Sequence, residues 1–183
     1  MTVDLDEIRR VESSAECLYS QTEVDQAIAD VAAQVSARLA DSNPLILAIM
    51  NGGVIFAGRL LPLLRFPLEM NAITATRYAG ATSGGLIRWL LEPSTALSGR
   101  CVLIVDDVLD EGITLAEVIR YCHAKGAAAV YSAVLVEKDL GTTKPCQADF
   151  VALHTGNQYL FGYGMDYKDY LRNAAGIYAC KQV

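Results

Sequence analysis

The chain has 183 residues, is 52% hydrophobic and carries a formal net charge of −6. That length and composition exclude a disordered chain and predict one packed domain over residues 1–183. The acidic balance lacks the basic face that nonspecific nucleic-acid binding needs, and the apolar runs are too short to span a bilayer, so neither nucleic acid nor membrane is an expected partner.

Residues 4–18 and 23–40 carry helical periodicity, the second with Ala27, Ile28, Val31, Val35 and Leu39 on one stripe and Thr22 at the N-cap. Residues 1–10 are acidic and amphipathic without a signal-peptide core, which predicts a cytoplasmic location. A short buried strand over 45–50 is broken by Asn51-Gly52-Gly53, and helical periodicity resumes over 54–64. Strands over 68–78 and 86–92 flank residues 79–85, a run of small residues and glycines longer than a tight hairpin needs, which reads as a flexible lid. A strand beginning at Val102 is expected to end at Asp106-Asp107, followed by a helix over 113–125 stopped by Gly126, a strand over 128–136 and weaker strands over 149–153 and 159–162. This alternation predicts an α/β fold, a mainly parallel twisted sheet flanked by helices, with ligands at the carboxyl ends of its strands. The five cysteines (Cys17, Cys101, Cys122, Cys146, Cys180) form no Cys-x-x-Cys pair, and His123 and His154 stand alone, so a disulfide framework, a zinc site and histidine catalysis are not indicated.

The run Val102-Leu103-Ile104-Val105-Asp106-Asp107-Val108-Leu109-Asp110-Glu111-Gly112-Ile113-Thr114-Leu115 concentrates the chemistry. Carboxylates are rarely buried unless paired, so two of them at the end of an apolar strand point to a ligand. The loop behind them brings backbone N–H groups to a helix N-terminus, where they carry partial positive charge, and Gly112 permits close approach of a phosphate. Two acids and an anion cradle together fit a phosphorylated sugar. Neither a Gly-x-x-x-x-Gly-Lys-[Ser/Thr] loop nor a Gly-x-Gly-x-x-Gly fingerprint is present.

This run resembles the phosphoribosyl-pyrophosphate signature of the type I phosphoribosyltransferases. The likeness extends through Asn51-Gly52-Gly53, Arg77-Tyr78, Val136-Glu137-Lys138-Asp139 and the segment from Tyr159 to Tyr167, and is closest to the bacterial hypoxanthine-guanine phosphoribosyltransferases. The resemblance implies a small hood beside the main sheet, a magnesium cofactor, and transfer of phosphoribose from phosphoribosyl pyrophosphate to a 6-oxopurine. It assigns Asp106 and Asp107 to the ribose hydroxyls, directly or through magnesium, and Asp110, Glu111, Gly112, Ile113 and Thr114 to the 5′-phosphate. Asp110 becomes the acid/base group near purine N7, with helix N-capping as its competing structural use. Lys138 would donate to the purine O6, Tyr159 would stack on the base, Leu160 and Met165 would offer backbone groups to its edge, and Asp166 would stand near a second magnesium. Phe161 and Tyr163 are expected in the core. Asn51, Gly52, Arg77, Tyr78 and Arg172 would hold pyrophosphate. Asn51 stands where many members have lysine, and Arg77 where serine is common, so Arg77 is expected to supply compensating charge. A homodimer or homotetramer is expected. A phosphoribosyl-pyrophosphate-sensing regulator, and the same reaction on xanthine, stay open at this point, as does the choice between hypoxanthine and guanine.

Overall fold

The computed structural model describes residues 4–77 and 87–181. In chain order its elements are α1 (Leu5–Ser14), β1 (Glu16–Ser20), α2 (Gln21–Leu39), β2 (Leu45–Ile49), α3 (Val54–Leu60), β3 (Glu69–Arg77), β4 (Ile87–Leu91), β5 (Cys101–Leu109), α4 (Ile113–Ala124), β6 (Ala129–Lys138), β7 (Phe150–Thr155), β8 (Leu160–Phe161) and β9 (Gly176–Ala179). Six strands form a sheet in the order β4-β3-β2-β5-β6-β7, parallel throughout except for the antiparallel edge strand β4. β1, β9 and β8 form a separate antiparallel sheet, the expected hood.

Side chains alternate across a strand, so a parallel sheet covered on both faces needs apolar residues at every position. β2 meets that demand with five buried residues. On one face, Ile46, Ala48, Leu103 and Val105 pack against Val24, Ile28, Val31, Val35 and Leu39 of α2 and Phe56 and Leu60 of α3. On the other, Leu45, Leu47, Val102 and Ile104 meet Leu115, Val118 and Cys122 of α4. Among the described residues no helix is long and apolar enough to cross a membrane. All five cysteines are free thiols.

Several expected boundaries move. The first helix stops at Ser14, and Glu16 to Ser20, read from sequence as helix at their start, pair with β9 instead. Strand pairing with a distant segment overrides local periodicity here. α2 is capped by Ser20, not Thr22: the Ser20 N–H donates to the Glu23 carboxylate at 2.8 Å and the Glu23 N–H donates back to Ser20 Oγ, a capping box. α3 ends at Leu60 and tightens into a 3-10 turn, Leu61–Leu63, because Pro62 has no N–H to continue an α-helix. β5 does not end at the two acids. It runs on to Leu109 because it stays in register with β6, pairing Asp106 with Val134 and Leu109 with Glu137. Gly126, at φ +82°, does follow the end of α4. β8 is only two residues long, and β9 carries no periodicity that announces it. The expected lid and Tyr78 lie outside the described residues, as does the side chain of Arg77.

The capping box gives the first prediction: Ser20→Ala lowers stability by about 1 kcal/mol, a fall of about 2–4 °C in melting temperature. Thermal denaturation followed by circular dichroism checks it.

Candidate active site

A cavity of about 430 Å³ opens at the carboxyl ends of β2, β5 and β6. Its floor is β5, where Asp106 and Asp107 are only 7% and 8% exposed and the Asp107 N–H donates to Asp106 Oδ1 at 3.0 Å. Burial, with the adjacent Asp107 charge adding to it, pushes the Asp106 carboxyl well above the usual carboxylate range. Burial also raises Asp107, opposed in part by the Arg172 guanidinium.

The Asn51-Gly52-Gly53 turn presses directly on this pair. A Cβ on Gly52 would overlap the Asp107 carboxylate, and one on Gly53 would collide with the Val105 and Ile49 carbonyls. Gly164, at φ +110°, comes so close to the Gly52 carbonyl from the hood side that it too has no room for a side chain. The turn, which includes a cis Met50–Asn51 peptide, is therefore clamped between the sheet and the hood.

Beyond the acids, Gly112 adopts φ +78° as the N-cap of α4 and brings no side chain to that position. Asp110 is thus not the helix cap. The Ala116 N–H is the first to reach back, donating to the Gly112 carbonyl, so the N–H groups of Ile113, Thr114 and Leu115 have no acceptor within the helix and can meet an anion. Asp110 instead accepts a hydrogen bond from Lys138 Nζ at 2.9 Å, with Lys138 nearly buried at the end of β6. Across the cavity stands Tyr159, 54% exposed, braced edge-on by Tyr167 at 5.6 Å between ring centroids. Arg172 donates to the Gly164 carbonyl at 2.6 Å and pairs with Asp166 at 2.7 Å.

Fourteen of the residues singled out from sequence line this one cavity: Asn51, Gly52, Asp106, Asp107, Asp110, Glu111, Gly112, Thr114, Lys138, Tyr159, Leu160, Met165, Asp166 and Arg172. Ile113 does not, and is 40% exposed. Phe161 and Tyr163 are buried as expected, Phe161 stacked on Tyr178 and Tyr163 donating its hydroxyl to Asp25 at 2.7 Å. Sequence reasoning missed Ile49, Met50, Val108, Leu109 and Leu115, apolar lining whose only signal is adjacency to the motif residues.

A parallel sheet bearing a buried carboxylate pair and a helix N-terminus at its carboxyl edge defines an α/β protein with its cavity where such sheets take their ligands. Residues 14–168 match the family model described as the phosphoribosyl transferase domain, and the chain belongs to that family. Curated relatives include the hypoxanthine-guanine-xanthine phosphoribosyltransferase of Tritrichomonas foetus, 29% identical over 179 residues (97% of this chain, 94% of that one). The hypoxanthine-guanine phosphoribosyltransferase of Streptococcus pneumoniae is 31% identical over 166 residues (90% and 92%). Among solved structures, a hypoxanthine phosphoribosyl transferase of Trypanosoma cruzi superposes with a TM-score of 0.84 at 27% identity, covering 91% of each chain.

The raised Asp106 carboxyl leads to a prediction about stability. A folded-state pKa above the unfolded value favours the neutral form, so this contribution is present below the unfolded pKa and is lost as pH rises through the folded one. In metal-free buffer, Asp106→Asn is expected to raise the melting temperature near neutral pH. It should also flatten the melting temperature's fall with rising pH relative to the parent. Calorimetric scans of both proteins between about pH 5 and pH 8 measure this.

Proposed function

We propose that this chain is a purine-salvage transferase that moves the 5-phosphoribosyl group from phosphoribosyl pyrophosphate to hypoxanthine or guanine, giving IMP or GMP and pyrophosphate. The observation that carries this reading is the Asp110–Lys138 pair, a carboxylate and an ammonium 2.9 Å apart on the cavity wall above the phosphate cradle. The N7–O6 edge of a 6-oxopurine offers a donor beside an acceptor, so it can take over both halves of that pair: N7–H to Asp110 and O6 from Lys138. Adenine would set an amine against the ammonium, which has nothing to accept it.

The remaining residues then fall into place around the two substrates. Loop 110–114 takes the 5′-phosphate through the free N–H groups of α4 and the Thr114 hydroxyl. Asp106 and Asp107 accept from the ribose hydroxyls. Tyr159 lies against the base, with Leu160 and Met165 at its edge. Asn51, Gly52 and Arg172 hold pyrophosphate, and Arg77 and Tyr78 belong to the same assignment. Alignment of N9 with the anomeric carbon supplies much of the acceleration, and Asp110 removes the N7 proton as N9 attacks.

Magnesium fits the donor set. Among the described residues no group of three or more His, Cys, Asp or Glu side chains forms a metal cage. The two buried carboxylates of Asp106 and Asp107 are the hard-oxygen donors magnesium takes when substrate oxygens complete its shell, and Asp166, lining the same cavity, would serve a second ion. When bound, the metal neutralises charge on the departing pyrophosphate. A cytoplasmic single-domain protein assembled as a homodimer or homotetramer belongs to the same proposal.

The deciding assay incubates the pure protein with phosphoribosyl pyrophosphate, magnesium and each of hypoxanthine, guanine, xanthine and adenine in turn, following nucleotide formation. Turnover of hypoxanthine or guanine and none of adenine is expected; tight sugar binding without turnover of any 6-oxopurine would move the assignment to a sensor. Asp110→Asn is expected to keep phosphoribosyl pyrophosphate affinity while kcat falls about 100-fold. Undiminished kcat in that variant removes Asp110 from the chemistry.

A further inference from the structure

The loop between β6 and β7 contributes nothing to the signature run, yet it holds a lysine whose side chain is almost wholly covered. The Lys144 side chain is 10% exposed, and an ammonium is rarely buried unless its donors are met. Here three N–H donors find three acceptors on two neighbouring strands: the Leu109 carbonyl at 3.1 Å, the Lys138 carbonyl at 2.6 Å and Glu137 Oε1 at 3.2 Å. Leu109 and Glu137 are register partners, and Leu109 and Lys138 are the last residues of β5 and β6. Lys144 thus ties the two strands together where Asp110 leaves one and the Lys138 side chain leaves the other.

The same segment backs the phosphate cradle. Lys144 Cβ and Pro145 Cδ stand 3.4 Å from where a Gly112 Cβ would lie, and Cys146 Sγ is 3.4 Å from the Gly112 carbonyl. Lys144 itself does not line the cavity that gathers the motif residues, but lines an adjoining one that Lys138 shares.

We infer that Lys144 is a positioning residue for phosphoribosyl transfer: its ammonium fixes the separation of Asp110 from Lys138, and with it the match of that pair to the N7–O6 edge of the purine. The inference rests on the transferase reading above. A residue that only held the loop would change folding stability without favouring the purine over the sugar. A residue that sets the pair should affect purine use selectively, and only while the pair exists.

The experiment is a double-mutant cycle. Lys144→Met is expected to bind phosphoribosyl pyrophosphate within about twofold of the parent by calorimetry, while kcat/KM for hypoxanthine falls about 10- to 100-fold, the usual effect of a misplacement near 1 Å. Lys144→Arg should recover part of the loss. Introduced into Asp110→Asn, Lys144→Met should cost less than about threefold further, because the group it positions is already gone. Should Lys144→Met fail to fold, Lys144→Gln carries the same cycle. Unchanged kcat/KM, an equal loss in both backgrounds, or parallel loss of sugar and purine binding overturns the inference. Absence of turnover in the parent protein would instead overturn the transferase reading itself, so the two failures are distinguishable.

Discussion

Everything at this site follows from one costly arrangement: two adjacent carboxylates inside the central strand of a covered sheet. Each is under a tenth exposed, and burial disfavours the ionised form of both. A core residue in these positions would serve stability better, since removing charges from water costs several kcal/mol per ion before any partner is counted. The fold keeps the acids and arranges its other parts around them. Gly52 yields the space that the Asp107 carboxylate occupies, Gly53 allows the turn to lie against Val105, and Gly164 lets the hood close on the turn. Three glycines in two distant segments thus answer to one pair of side chains.

The polar groups around the cavity are matched to one another in the same way. Lys138 satisfies Asp110, Arg172 satisfies Asp166, and Lys144 satisfies the strand ends behind them. Pairing keeps cations and anions in place at fixed distances, and substrate groups need only replace partners that are already present. This is preorganisation by mutual neutralisation, suited to a reaction in which positive charge develops on the sugar and negative charge leaves with pyrophosphate.

Much of this was legible in the sequence, and what escaped has a physical reason. The run from Val102 to Leu115 could be read because its chemistry is local: acids, glycine and helix start are consecutive. The two faces of the main sheet were legible because α2 carries its stripe within one element. The hood was legible only through the family resemblance and not through periodicity, since β1 and β9 pair across the length of the chain and neither is long enough for a period to emerge. The continuation of β5 past its acids was hidden because strand pairing with β6, not side-chain polarity, decides where a strand ends. Lys144 escaped for the opposite reason. In Gly141-Thr142-Thr143-Lys144-Pro145 it has the look of a solvent-facing turn, and only the fold reveals the three acceptors beneath it.

The junction at Ser20 has a mechanical side. β1 of the hood passes into α2 of the main layer with no intervening residue, and the capping box locks that corner. The Tyr163 hydroxyl on Asp25 and the Tyr19 hydroxyl on the His154 carbonyl add two more rivets between the layers. Among the described residues, the hood and the main layer are therefore pinned together beside the pocket at three separate points. On the proposed reading, selectivity for the base becomes a matter of gauge: a purine is measured against the gap between Asp110 and Lys138, as a part is measured in a calliper.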